Sequence, residues 1–199
     1  VTRVTQHLCA ELNILASPNT LTFATSGFVQ SPSSILPSTS QHTHIPFPNK
    51  CIALSTFLHL TSLERLVPGT FEALFLPNLE MVGRPRLPYA LLVHDISFFL
   101  EPRWFSIKSR LWHIGTRAKD LIQHATALLA VSEHTKQDLI TFFQIPPERI
   151  QILPLGPTMT EPEQEIQLPS ELVNQTYFLA LGTQDPRKNT ACAIAAFQE

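Results

Sequence analysis

The chain has 199 residues, 44% hydrophobic and only 15% charged, with a formal net charge of −2. This length allows one full domain and part of another, and the apolar share can fill a core. The balanced charge and the scatter of Arg3, Lys50, Arg84, Arg86, Lys108, Arg110, Arg117 and Lys119 argue against nucleic acid as the main partner, since no basic stripe is available to track a phosphate backbone.

In chain order, Val4, Leu8, Leu12 and Leu15 recur at helical spacing and predict an amphipathic helix over 3–16, ended by Ser17-Pro18. Leu21 to Thr25 is a strand candidate. Residues 30–49 are rich in Ser, Thr and Pro and read as a long loop, too polar and Pro-broken for the core. Helical pattern returns over 50–66, interrupted near Leu60-Thr61 and stopped by Pro68-Gly69. Strands are predicted at 71–76 and 89–93, joined by a Pro-rich loop. A long helix follows over 105–126, with Phe105, Leu111, Trp112, Ala118, Leu121, Ile122 and Ala125 on its buried side. The strand 128–131 leads into Ser132, a good N-cap for a helix over 133–143, and 150–153 is the next strand. Residues 154–176 shift to Pro, Glu and Gln with little periodicity. Beyond them come a strand at 177–181, a turn through Gly182 and Asp185-Pro186, and a helix from Thr190.

Strand–helix–strand repetition with short turns specifies an α/β fold, a doubly wound parallel sheet with helices on both faces. The expected organisation is a Rossmann-like domain over 1–155, a linker over 156–175, and over 176–199 the first strand and helix of a second Rossmann-like domain. A strand and one helix cannot bury their own apolar faces, so the second unit is expected to be incomplete. The absence of an initial Met suggests missing residues at the other end as well.

Cys9, Cys51 and Cys192 are odd in number, widely spaced and flanked by apolar residues, and read as reduced core cysteines of a cytoplasmic protein. No signal peptide or bilayer-spanning apolar run is apparent. Lys108, Arg110, Arg117 and Lys119 read first as a solvated helix face. The second reading is a weak peripheral contact with an anionic inner-membrane surface.

Parallel sheets bind ligands beyond the carboxyl ends of their strands. The predicted strands end in Pro77-Asn78, His94-Asp95, Ser132-Glu133 and Gly182-Thr183. Asn78, Asp95, Ser132 and Glu133 are therefore candidate cleft-rim residues. His94 directly follows four apolar residues, and is either a satisfied strand-end histidine or a polar group aimed at a ligand. Ser132 has an equal claim as a helix cap, and Glu133 as a first-turn acid favoured by the helix dipole. At the second strand end, a glycine turn, Arg187, Lys188 and a helix start can hold a phosphate, or form an ordinary turn with solvated charges.

Other chemistries find little support. The chain has no G-x-S-x-G elbow, no GxxxxGK[ST] phosphate loop and no GxGxxG. His42-Thr43-His44 lacks a third ligand, and no paired D-x-D is present to bridge a metal to a nucleotide sugar.

Val93-His94-Asp95-Ile96-Ser97-Phe98, followed by Glu101-Pro102, Phe105-Ser106, Arg110 and Trp112-His113, resembles the retaining glycosyltransferases of the GT-B group known as family 4. The runs 130–139 and 145–150, and Leu181-Gly182-Thr183 with Pro186-Arg187-Lys188-Asn189, resemble it in the same order. The resemblance is good over about 70–199 and loose before that.

It implies two facing Rossmann-like domains, the acceptor mostly on the first and a nucleotide-diphosphate sugar mostly on the second. Transfer would proceed with retention and with no metal or other cofactor. It implies a catalytic role at the donor sugar for His94, diphosphate contacts for Lys188 with Arg187 as helper, and close backbone approach at Gly182. Thr183 stands where many members carry a second basic residue. The acidic pair that holds the donor's sugar and ribose would lie beyond Glu199, and the acceptor-side glycine turn before Val1. The 199 residues alone are therefore expected to be inactive.

The leading expectation is hexose transfer, with mannose as the suggested sugar, to a glycan or lipid-linked acceptor, loop 30–49 lining the acceptor side. The alternatives are a nucleotide-sugar epimerase of the same fold and a truncated, non-catalytic interaction module.

Overall fold

The architecture follows from one strand, Tyr89–Val93, whose Leu91, Leu92 and Val93 are fully shielded from solvent. Consecutive strand residues point to opposite faces, so both faces of this strand are covered. In the computed structural model, residues 2–15, 20–28, 41–58, 60–79, 83–115, 117–156, 169–173, 175–180 and 186–198 are described. The chain divides into two compact units, Val1–Thr158 and Met159–Glu199.

In the first unit the elements are α1 (Thr2–Leu15), β1 (Thr22–Ser26), β2 (Gln41–Ile45), α2 (Asn49–Phe57), α3 (Leu63–Leu66), β3 (Leu74–Leu76) and β4 (Tyr89–Val93). They continue with α4 (Ser97–Leu100), α5 (Ile107–Gly115), α6 (Ala118–His124), β5 (Ala127–Ala130), α7 (Glu133–Phe143) and β6 (Ile150–Ile152). Strands β3-β4-β5-β6 form one sheet in that order, every neighbour parallel. Leu91 pairs with Leu76 and Leu128, and Leu128 with Ile150, so the apolar positions are in register across the sheet. The expected α/β, Rossmann-like parallel sheet is present. Its main core joins Leu91, Val93, Leu128 and Ile150 to Leu121, Ile122, Leu139 and Phe143 of the crossover helices.

Several expectations are corrected. Residues 41–45, assigned to a loop, form β2, which pairs in parallel with β1. The alternation Gln41-His42-Thr43-His44-Ile45 places Ile45 in a small core with Ile52 and Val67, so burial outweighs the polar composition. Residues 30–40 of the expected loop lie outside the described residues. The helix over 105–126 is two helices, α5 and α6. Gly115 and Thr116 are poor helix formers, and Arg117 takes a left-handed conformation (φ 50°). Ala118, Leu121 and Ile122 of α6 are buried as expected, whereas Leu111 of α5 is 64% exposed. Trp112's side chain lies outside the described set. The cysteines are not core residues: Cys9 is half-buried, while Cys51 and Cys192 are exposed. Cys51 lies beside Ile52 and Ala53, which carry the buried face of α2. Burial pushes the Cys9 thiol pKa up.

In the second unit α8 (Thr190–Gln198) forms as expected. The predicted strand does not form in its described part: residues 177–180 join no ladder, and Tyr177, Phe178 and Leu179 are exposed. An extended segment without a hydrogen-bonding neighbour is not a strand. The segment instead meets α8 through Phe178 and Phe197, rings 5.3 Å apart.

The sequence run Ile145-Pro146-Pro147-Glu148-Arg149-Ile150 gains a structural explanation. Gln144 (φ 56°) ends α7 in a left-handed turn, Ile145 is buried, and Pro147–Arg149 form a single 3-10 turn into β6. Arg149 then reaches across, Nη2 donating to the carbonyls of Gln123, at 3.1 Å, and Ala125 at the end of α6. A cation there satisfies carbonyls that the helix leaves unpaired. Arg149→Met should lower stability by about 2 kcal/mol, the scale of a charged hydrogen bond. A urea-denaturation midpoint unchanged from wild type would remove this assignment.

Candidate functional site

Because β3, β4 and β5 run parallel, their carboxyl ends share one rim. This rim receives Asn78, His94 and Ser132, and a sequence of hydrogen bonds runs along it. His94 Nε2 lies 3.2 Å from the carbonyl oxygen of Pro77, at the end of β3. A carbonyl can only accept, so Nε2 carries the proton and the neutral ring keeps its Nδ1 lone pair. Among the described residues nothing hydrogen-bonds Nδ1. On the other side, Thr135 Oγ1 donates to the His94 carbonyl at 3.3 Å. Ser132 Oγ accepts from Thr135 N at 3.2 Å and lies 3.1 Å from Thr135 Oγ1. The side chain and carbonyl of His94 are thus tied to β3 and α7 respectively.

Burial pushes the His94 pKa below its ordinary value, with the Pro77 hydrogen bond and the nearby Asp95 carboxylate offsetting this only in part. A neutral imidazole with one ring nitrogen satisfied and the other an acceptor can take a hydrogen bond from a ligand hydroxyl. The following turn is held by Ile96, 1% exposed, and by Phe99, whose ring meets Phe143 edge-on at 5.0 Å.

Asn78, next to Pro77, presents a buried Oδ1 with no hydrogen-bond partner. An unsatisfied buried amide oxygen is costly and often marks a ligand position. The other rim candidates have local engagements. Asp95 Oδ1 accepts from Ser97 N at 3.0 Å and Ser97 Oγ at 2.6 Å, initiating the turn into α4. Glu133 accepts from Gln137 Nε2 at 2.9 Å along α7. Ser132 is the N-cap read from the sequence, and its hydroxyl also orients Thr135. Thr135 was not singled out from the sequence. The legible signal was its position three residues after the capping serine, where the first turn faces the strand end.

His42 and His44 both approach the Thr25 hydroxyl, at 2.9 and 3.3 Å, pinning β2 to β1. In the second unit, Pro186–Lys188 form a 3-10 turn before α8, with Arg187 and Lys188 exposed. Gly182 and Thr183 lie outside the described residues.

The fold and rim define a Rossmann-like α/β protein with its polar groups gathered at parallel strand ends. No family model matches the chain. It is similar to the O-antigen chain mannosyltransferase B of Escherichia coli, 28% identical over 114 residues. That alignment covers 53% of this chain and 29% of the mannosyltransferase. The likeness supports a distant relationship to a glycosyltransferase.

The depressed His94 pKa carries a sign for stability. The unfolded chain binds this proton below about pH 6.5 while the folded chain resists it. The stability contributed by neutral His94 is therefore present above that pH, and is lost as pH falls through the lower folded value. Denaturation midpoints measured from pH 7.5 down to about 5 should fall for wild type and fall less for His94→Gln. Parallel profiles would show that His94 protonates as readily folded as unfolded.

Proposed function

We propose that this chain belongs to the catalytic machinery of a retaining GT-B glycosyltransferase of family 4, acting on a nucleotide-diphosphate hexose. The observation that carries the reading is His94 at the end of the central strand, neutral and tied to Pro77 and Thr135, in a chain similar to a mannosyltransferase. The relative's name suggests mannose as the hexose, and the acceptor in this reading is a glycan or lipid-linked saccharide. The domain reading accompanies it: an acceptor-side domain over 1–155, a linker over 156–175 and the start of a donor-binding domain from 176.

In this reading His94 Nδ1 takes a hydrogen bond from the donor sugar and orients its reacting carbon, while the Asn78 amide oxygen accepts from a sugar hydroxyl. Arg187 and Lys188 meet the charge that develops on the leaving diphosphate. Gly182 and Thr183 supply backbone close to the donor. Asp95, Ser132 and Glu133 stand at the acceptor rim, Ser132 acting through Thr135. No metal is required when cations and N–H dipoles receive the leaving-group charge. A cytoplasmic location with peripheral membrane contact suits a lipid-linked acceptor. Among the described residues no helix is long and apolar enough to cross a membrane.

The aligned stretch is under a third of the relative's length, so transfer is proposed for the complete gene product. For the 199 residues alone we expect no turnover. With GDP- and UDP-hexoses as donors, the complete product should release nucleoside diphosphate in an acceptor-dependent way. His94→Ala should lower that rate at least about a hundredfold. Lys188→Ala should raise the donor KM about tenfold, the scale of one charged contact. Failure to bind or consume either donor class would overturn the reading and favour a non-catalytic interaction module.

A further inference from the structure

The opposite rim of the sheet holds a second polar concavity. A cavity of about 620 Å³ opens at the amino ends of β4 and β5, lined among others by Tyr89, Thr126 and four basic side chains. Three of these converge on one carboxylate. Arg84 Nη1 lies 3.6 Å and His124 Nδ1 3.2 Å from Asp120 Oδ1, and Arg117 Nη2 lies 3.6 Å from Asp120 Oδ2. Arg86 is the fourth. At 3.6 Å neither guanidinium makes a close, fork-to-fork pair, so N–H donors remain for another acceptor.

The charges do not balance. Asp120 is the cavity's one lining carboxylate among the described residues. Glu64 stands nearby, but its Oε1 is taken by the N–H groups of Arg86 and Leu87. Even with both acids counted, three arginines leave a cationic excess before His124 is considered. A concave wall concentrates such a field. The supports are built in: Tyr89 donates its hydroxyl to Leu121 O at 2.7 Å, and its phenol pKa is pushed up to about 12, chiefly by burial. Gly83 (φ 70°) passes so close to the Thr56 side chain that a Cβ would collide with it, so the position beside Arg84 requires glycine.

Several guanidinium forks around a concave space with neutral hydroxyls suit a phosphate group. We infer that this cavity binds phosphate, free or as the monoester end of a small metabolite, at a site separate from the His94 rim. Five strand residues divide the two rims, roughly 15 Å at about 3.3 Å per residue. Asp120 acts there as an internal anion that holds the cations in place and yields them to a ligand.

The test is calorimetric titration of the 199-residue chain with inorganic phosphate and with glycerol 3-phosphate, at ionic strength matched by sodium chloride. Saturable binding of either supports the site: equal affinities identify free phosphate as sufficient, and tighter ester binding identifies a phosphorylated metabolite. Arg84→Gln with Arg117→Gln should weaken binding at least about tenfold. Asp120→Asn should strengthen it severalfold, a gain that misfolding cannot imitate. His94→Ala should leave it unchanged, which separates this site from the transferase reading. Absence of binding beyond the chloride control, or equal binding by the double arginine variant, would overturn the proposal.

Discussion

The pairing of β4 on both edges, with both of its faces buried, is the constraint on which the rest of the first unit depends. A strand whose Leu91, Leu92 and Val93 reach no solvent must place its backbone N–H and C=O groups on neighbouring strands, because water cannot satisfy them. That requirement sets β3 on one side and β5 on the other, both parallel. Parallel strands need crossovers, and the crossovers supply α6 and α7, whose Leu121, Ile122 and Leu139 complete the burial. Once the strands share a direction, His94, Asn78 and Ser132 are brought to one rim and Tyr89 and Thr126 to the other.

The parts of this arrangement that were legible in the sequence are those where local and tertiary preferences coincide. Tyr89–Val93 is an unbroken apolar run of strand length, and Ser132 precedes a helix as a cap, so β4, α7 and the position of His94 could be read directly. The failures have identifiable causes. Residues 41–45 look like loop because four of the five are polar, yet one buried Ile45 and a neighbouring strand suffice to order them. The break at Arg117 was marked only by Gly115-Thr116, between two stretches that both keep helical composition. Tyr177 to Leu179 have strand composition, but their described backbone finds no ladder partner. The pairing of the Pro77 carbonyl with His94 was not legible because a hydrogen bond to backbone across two elements leaves no pattern in the sequence.

At the His94 rim, the chemistry depends more on hydrogen bonding than on charge. Pro77 fixes the tautomer, Thr135 occupies the histidine's carbonyl, and the ring stays neutral through burial. Such a group is able to accept a hydrogen bond from a hydroxylated ligand without introducing a cation beside it. This agrees with a distant relationship to a glycosyltransferase, where sugar hydroxyls supply the matching donors. The amino-end rim has the opposite character, with several arginines and few acids. The two ends of one sheet are thereby suited to different ligand chemistries.

The sheet's strand order also bears on the sequence of events in folding. Leu128 and Ile150 are nearer along the chain than Ala90 and Ala127, although both pairs are neighbours in the ladder. Leu76 and Leu91 are nearer still, and closing a shorter loop costs less chain entropy, so the β3–β4 and β5–α7–β6 units have the kinetic advantage over the β4–β5 pairing that joins them. Pairing of β4 with β3 brings His94 to Pro77, and docking of β4 on β5 then brings His94 to Thr135. The rim is thus completed late in folding, and a chain caught with β4 undocked from β5 would retain much of its helix while lacking the bond between Thr135 and the His94 carbonyl.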